Sequence, residues 1–194
     1  FMFLVPALGM PFWAEERRTG AFELTLSFPA TLWELVVGKY LAGMLFLLIA
    51  LLLTAPVPIT YFWLGEPDVG SILCGYFGAF MVGSAFLAAS CFCSALTRSQ
   101  MASFLLAFLI CALLLFTGMD AVAAQLYRWL PEWLCRAIAA IAIMLHYQAF
   151  QRGLFDTSEL AYCLLLTALF LYFARTALRY IASGGGRVLP AGPL

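Results

Sequence analysis

Charge is what this sequence has least of. Asp, Glu, Lys and Arg make up 10% of its 194 residues, while 65% are hydrophobic and the mean hydropathy is +1.01. Ordinary soluble domains carry about 25% charged residues. So few charges cannot cover so much apolar surface in water, and the excess must face lipid. This excludes a disordered chain and a soluble enzyme. Ten basic against ten acidic residues leave no net charge, so there is no basic face for nucleic acid. Histidine occurs once, as His146, with no Cys or carboxylate cluster beside it in sequence, so it reads as an interfacial or packing residue. The six cysteines (74, 91, 93, 111, 135 and 163) contain no CxxC pair and lie in or beside apolar runs, whereas a disulfide framework would place them in loops. They read as small apolar fillers. Cys91 and Cys93 could hold a soft metal, but a spacing of two turns them to different helix faces.

A phosphate-binding loop is also missing. Lys39 is the sole lysine, and Gly38-Lys39-Tyr40 has no Ser or Thr after the lysine and no glycine five positions before Gly38. Gly184-Gly185-Gly186-Arg187 lacks the lysine altogether. No nucleotide, metal or catalytic nucleophile site is therefore expected in this chain. An initiator methionine and a basic flank are absent too. The apolar start, residues 1–13, reads as the end of a spanning helix whose beginning is missing rather than as a signal peptide.

What is present is a series of long apolar runs. A span needs about 20 largely uncharged residues. Residues 41–64, 69–97, 99–119 and 160–181 qualify, with Pro56 and Pro58 kinking the first. The predicted fold is an all-α, multi-pass membrane bundle. Thr97 to Gln100 and Asp156 to Glu159 have capping-box spacing. Charge bias orients the chain. If residues 14–40 are cytoplasmic and 120–158 does not cross, seven bases lie inside and three outside. If 137–151 crosses instead, the split is five and five. The first arrangement is preferred. Residues 120–158, with Trp129 and Trp133 on one apolar helical face, then form an outer element that dips into the leaflet and returns. Residues 183–194 read as a flexible tail. Gly75, Ala79 and Gly83, four apart, make a small-residue stripe for close helix approach, either within the subunit or at a dimer seam.

The charges are concentrated. Seven of the twenty fall in residues 14–40. Glu15, Glu16, Arg17 and Arg18 form a sign-mixed cluster, Gly20 loosens the helix, and Phe22, Leu24 and Leu26 give it an apolar side. Pro29 ends it. Thr31 and Glu34 make a second capping box, after which Trp33, Val36, Val37 and Tyr40 run as a stripe into the first full span. The picture is a short surface helix, a turn and an elbow. Such a helix either satisfies the interface or docks a soluble partner.

These residues resemble the ABC-2 type transporter permeases, in particular the branch with the gliding-motility and nitrous-oxide-reductase maturation permeases. The shared pattern is Pro6-Ala7-Leu8, then Ala14-Glu15-Glu16, Arg17, Gly20, Glu23-Leu24, Pro29, Trp33-Glu34 and Gly38-Lys39, continuing through residues 96–100 and 146–162. The resemblance implies a six-span, type V exporter-like fold of which this sequence lacks the first span and part of the second. It implies the bacterial inner membrane, a second permease copy or close paralogue, and two cytoplasmic ATPase subunits that hold ATP and Mg. Residues 14–25 would be the coupling helix, with Glu15, Glu16, Arg17, Arg18, Gly20, Phe22, Glu23 and Leu26 meeting the ATPase. Pro29, Thr31, Trp33, Glu34 and Lys39 would transmit the motion, and a periplasmic partner is compatible with the pattern. The rival readings are a membrane scaffold that moves no substrate and an intramembrane enzyme. The four spans hold no acid, lysine or histidine, which argues against the enzyme.

Overall fold

A computed structural model describes residues 2–22, 31–65, 68–118, 143, 144, 147 and 157–182. The described elements are all helices: α1 Leu4–Gly9, α2 Pro11–Thr19, α3 Leu32–Leu53, α4 Pro56–Leu64, α5 Val69–Leu96, α6 Gln100–Phe116 and α7 Thr157–Tyr180. The order of apolar runs predicts this series.

Local chemistry sets the ends. Thr31 accepts the Glu34 amide at 3.3 Å while the Glu34 carboxylate accepts the Thr31 amide at 2.8 Å, so the predicted capping box opens α3. The elbow is therefore continuous with the span, which begins at Leu32 rather than residue 41. It breaks at Thr54-Ala55, because Pro56 cannot continue the ladder. Tyr76 of α5 donates to the Thr54 carbonyl at 3.0 Å and ties that break down. Asp68 caps α5 through the Gly70 amide. The capping box expected at Thr97–Gln100 is not formed: Thr97 ends α5, its hydroxyl donating back to the Cys93 carbonyl, and Ser99 stands at the start of α6 without a side-chain cap bond.

Among the described residues, three helical stretches are long and apolar enough to cross a membrane: Leu32–Thr60, Val69–Leu96 and Thr157–Tyr180. The expected span over 99–119 is described as the 17-residue α6, roughly 26 Å at 1.5 Å per residue, against about 30 Å of hydrocarbon. Apolar stripes remain uncovered: Leu41, Leu45, Leu48 and Leu52 on α3, and Met101, Leu105, Leu109 and Leu113 on α6. Leucines recurring on one exposed face of each helix require lipid as their solvent.

The core lies around α5, which packs against α1, α2, α3, α6 and α7. From Gly83 to Cys91 nine consecutive residues are buried on every side. All six described Lys and Arg residues (17, 18, 39, 98, 175 and 179) sit at one end of the bundle, with Asp68 and Glu159 at the other. Most of residues 120–158 and all of 183–194 lie outside the described residues; Ile143 is buried in the core.

Candidate functional site: a broken helix clasped at the charged end

The charged block folds around a break. Pro11 has no amide hydrogen, so the helix that enters as α1 bends at Met10 and resumes as α2. The short helix thus starts three residues before the expected 14–25 segment. It ends at Gly20, whose φ of +77° is a left-handed conformation that glycine adopts freely. Thr19 closes the last turn by donating to the Glu15 carbonyl at 2.9 Å.

One face of α2 is fastened inward. Trp13 and Ala14 are fully buried, and their amides donate to the Ser94 hydroxyl of α5 at 2.9 and 3.0 Å. Ser94 in turn donates to the Met10 carbonyl at 2.8 Å. The Trp13 indole N–H points at Cys91 Sγ, 3.4 Å away. Ser90, one turn back, donates to the Pro6 carbonyl at 3.3 Å. Gly9 makes this approach feasible, since a Cβ there would lie 2.5 Å from Ser90 Oγ. Arg17 reaches across to the Ala95 carbonyl at 2.6 Å and the Thr97 carbonyl at 3.3 Å, placing its charge on the C-terminal carbonyls of α5. Burial, and then the neighbouring Arg98 charge, lower the Arg17 pKa.

Lys39 fastens α3 to the same helix. Its Nζ donates to the Phe12 carbonyl, meets Glu16 Oε1 at 2.6 Å, and lies 3.8 Å from the centroid of the Trp13 ring. A carbonyl, a carboxylate and a π-face thus share one ammonium. At the start of α3, Arg175 of α7 stands 5.5 Å from the centre of the Trp33 ring.

The other face of α2 is exposed. Arg18 pairs with Glu15 at 2.6 Å, and this contact holds the Glu15 carboxyl below its ordinary value. Of the predicted contact residues, Glu15, Arg18 and Gly20 are on or near this surface, whereas Glu16 and Arg17 are engaged by Lys39 and by α5. Phe22, expected as a docking contact, is buried and packs edge-on to Trp13 with ring centroids 6.2 Å apart. Trp13 offers it an aromatic neighbour within the chain. Glu23, Leu26 and Pro29 lie outside the described residues. The small-residue stripe divides: a Cβ at Gly83 would come within 2.8 Å of Leu47 on α3, Ala79 is half-buried, and a Cβ at Gly75 would meet nothing within 4 Å.

Ser90, Ser94, Cys91, Trp13 and Gly9 escaped the sequence reading as site residues. Two serines four apart in an apolar helix, with a Pro-broken helix elsewhere, are a signal for hydroxyl bonding between helices. Cys91 and Cys93 are buried fillers, and among the described residues no group of His, Cys, Asp and Glu could hold a metal. The arrangement is a short helix with one charged outer face, bolted to two spanning helices.

The profile of the ABC-2 family transporter proteins matches residues 3–173, nearly the whole chain and all of this clasp. The chain belongs to the ABC-2 transporter family. No curated protein and no solved structure matches it. Family membership makes it a membrane protein of the ABC-transporter class, in keeping with the lipid-facing stripes on α3 and α6.

Proposed function

We propose that this chain is the membrane-spanning permease subunit of an ATP-binding-cassette exporter in the bacterial inner membrane, and that α2 is its coupling helix. The observation that carries this is the two-sidedness of α2. Its inner face is pinned to α3 and α5, and its outer face offers Glu15, Arg18 and the Gly20 turn. A partner that moves α2 must therefore move two spans. ATP and Mg belong to two copies of a cytoplasmic ATPase, because this sequence has no phosphate loop. A second permease copy or paralogue completes the assembly, and the gliding-motility and nitrous-oxide-reductase maturation permeases are its expected kin. All six described bases at one end support placing that end in the cytoplasm.

With Phe22 turned inward, docking at α2 is mainly polar. Exposed ion pairs are each worth about 0–1 kcal/mol, so several must act together and the contact should weaken with salt. The test is Glu15→Lys with Arg18→Glu in the full chain, co-expressed with the ATPase encoded beside it. The expected result is normal membrane insertion with loss of ATPase co-purification and of transporter-dependent hydrolysis. Full retention of both would overturn the reading.

A further inference from the structure

Ser94 serves a helix other than its own. Its hydroxyl accepts from the Trp13 and Ala14 amides and donates to the Met10 carbonyl. Met10 and Ala14 are four residues apart, and in an unbroken α-helix that amide bonds that carbonyl directly. A hydroxyl from α5 thus occupies a rung of the α1–α2 ladder, one of the recognised causes of a helix kink. Pro11 opens the rung. Met10 cannot cap α2 itself: its backbone is already helical (φ −57°, ψ −38°) and its side chain has no strong acceptor. Without Ser94 two buried amides would be orphaned.

We propose that Ser94 is the positioning residue that hands displacement of α2 to α5, so that the central helix, not the Pro29–Lys39 elbow, is the main load path into the membrane. The inference rests on α2 being the coupling helix. Two comparisons favour α5 over α3. The link to α3 runs through the long, flexible stem of Lys39, which can rotate and absorb movement. The Ser94 oxygen stands one bond from its Cβ and makes three hydrogen bonds at once, and Arg17 fixes the same end of α5 from the next turn of α2. Ser94 is also fully buried, so water cannot replace it cheaply.

The test is amide exchange on the full chain with its ATPase in nanodiscs, with and without ATP plus vanadate. In the wild type without nucleotide, Trp13 and Ala14 should exchange as slowly as the middle of α2; fast exchange there overturns the cap. Ser94→Ala should speed them about tenfold or more, and Ser94→Thr, which keeps the hydroxyl, should not. With ATP and vanadate, α2 and residues 83–96 respond together in the wild type. In Ser94→Ala the α2 response persists while that of 83–96 falls by about fivefold. Ser90→Ala removes only the bond to Pro6 and should leave the α5 response intact. Where Ser94→Ala does not assemble, Ser94→Cys keeps the volume, weakens the acceptor and carries the same prediction. A wild-type α5 response in the Ser94 variants, or equal loss in Ser90→Ala, overturns the relay. No α2 response in the wild type overturns the coupling-helix reading instead.

Discussion

The two halves of α5 share one helix and one hydropathy, yet they are built differently. Residues 83–96 are mostly small (Gly83, Ser84, Ala85, Ala88, Ala89, Ser90, Ser94, Ala95), and most are buried. In residues 69–82 only Cys74 and Gly78 are buried, and this half borders an apolar cleft of about 790 Å³ shared with α3 and α4. Lipid tails are as apolar as leucine, so burial in a membrane brings no hydrophobic gain by itself. The second half is gripped because short side chains let other backbones come close and hydroxyls then bond across the gap. The first half has the apolarity without the close approach. Apolarity places α5 in the membrane, and smallness with hydroxyls makes it the hub.

Several substitutions would break or sharpen this contrast. The largest effect is expected for Phe86→Ala, which empties a site only 1% exposed. Loss of packing should cost about 2 kcal/mol or more even where the transfer term fades in lipid, whereas Leu73→Ala, at a position 65% exposed, should be near neutral. Thermal unfolding in one detergent compares them; equal losses would erase the distinction. Next comes Gly9→Val against Gly75→Val. The first must displace Ser90, which overpacking places at about 1–3 kcal/mol, and the second meets open space. Folded yield after size exclusion ranks them, and tolerance of Gly9→Val would refute the close approach. Thr31→Ala should cost about 1 kcal/mol through loss of the α3 cap, without disturbing either half of α5. Crosslinking between α3 and α5 should stay unchanged.

The smallest effect concerns pH and lies outside both halves. Arg18 holds the Glu15 carboxyl below its ordinary 4.5, so the pair is fully present above that value and is lost only as pH falls through the lowered one. Arg18→Gln should move the Glu15 titration back toward 4.5. A carboxyl carbon NMR titration reads this directly, and an unchanged midpoint would mean that the pair does not exist in solution.

Much of the fold was legible because lipid imposes simple rules. Long uncharged runs must be helices, Thr31 and Glu34 have the one spacing that caps reciprocally, and Pro56 breaks the span where it must. The cluster of charge at 14–40 pointed to the candidate site. The roles within it were less legible. Phe22 reads as a docking side chain on an isolated amphipathic helix, and only the position of Trp13 turns it inward. Thr97 has the spacing of an N-cap but ends the previous helix, because its hydroxyl finds the Cys93 carbonyl first. Gly75 and Gly83 are equivalent in a pattern, yet only Gly83 has Leu47 against it.

The sequence by itself determined the solvent, the helices and the family pattern, since all of these follow from local composition and spacing. The tertiary structure alone decided which charges are spent inside the chain. Glu16 and Lys39 are 23 residues apart in sequence, and Ser94 is about 80 from the amides it caps. No periodicity encodes such contacts. The Ser94 contacts arise because Pro11 leaves a gap in one helix and Gly9 lets another helix close enough to fill it.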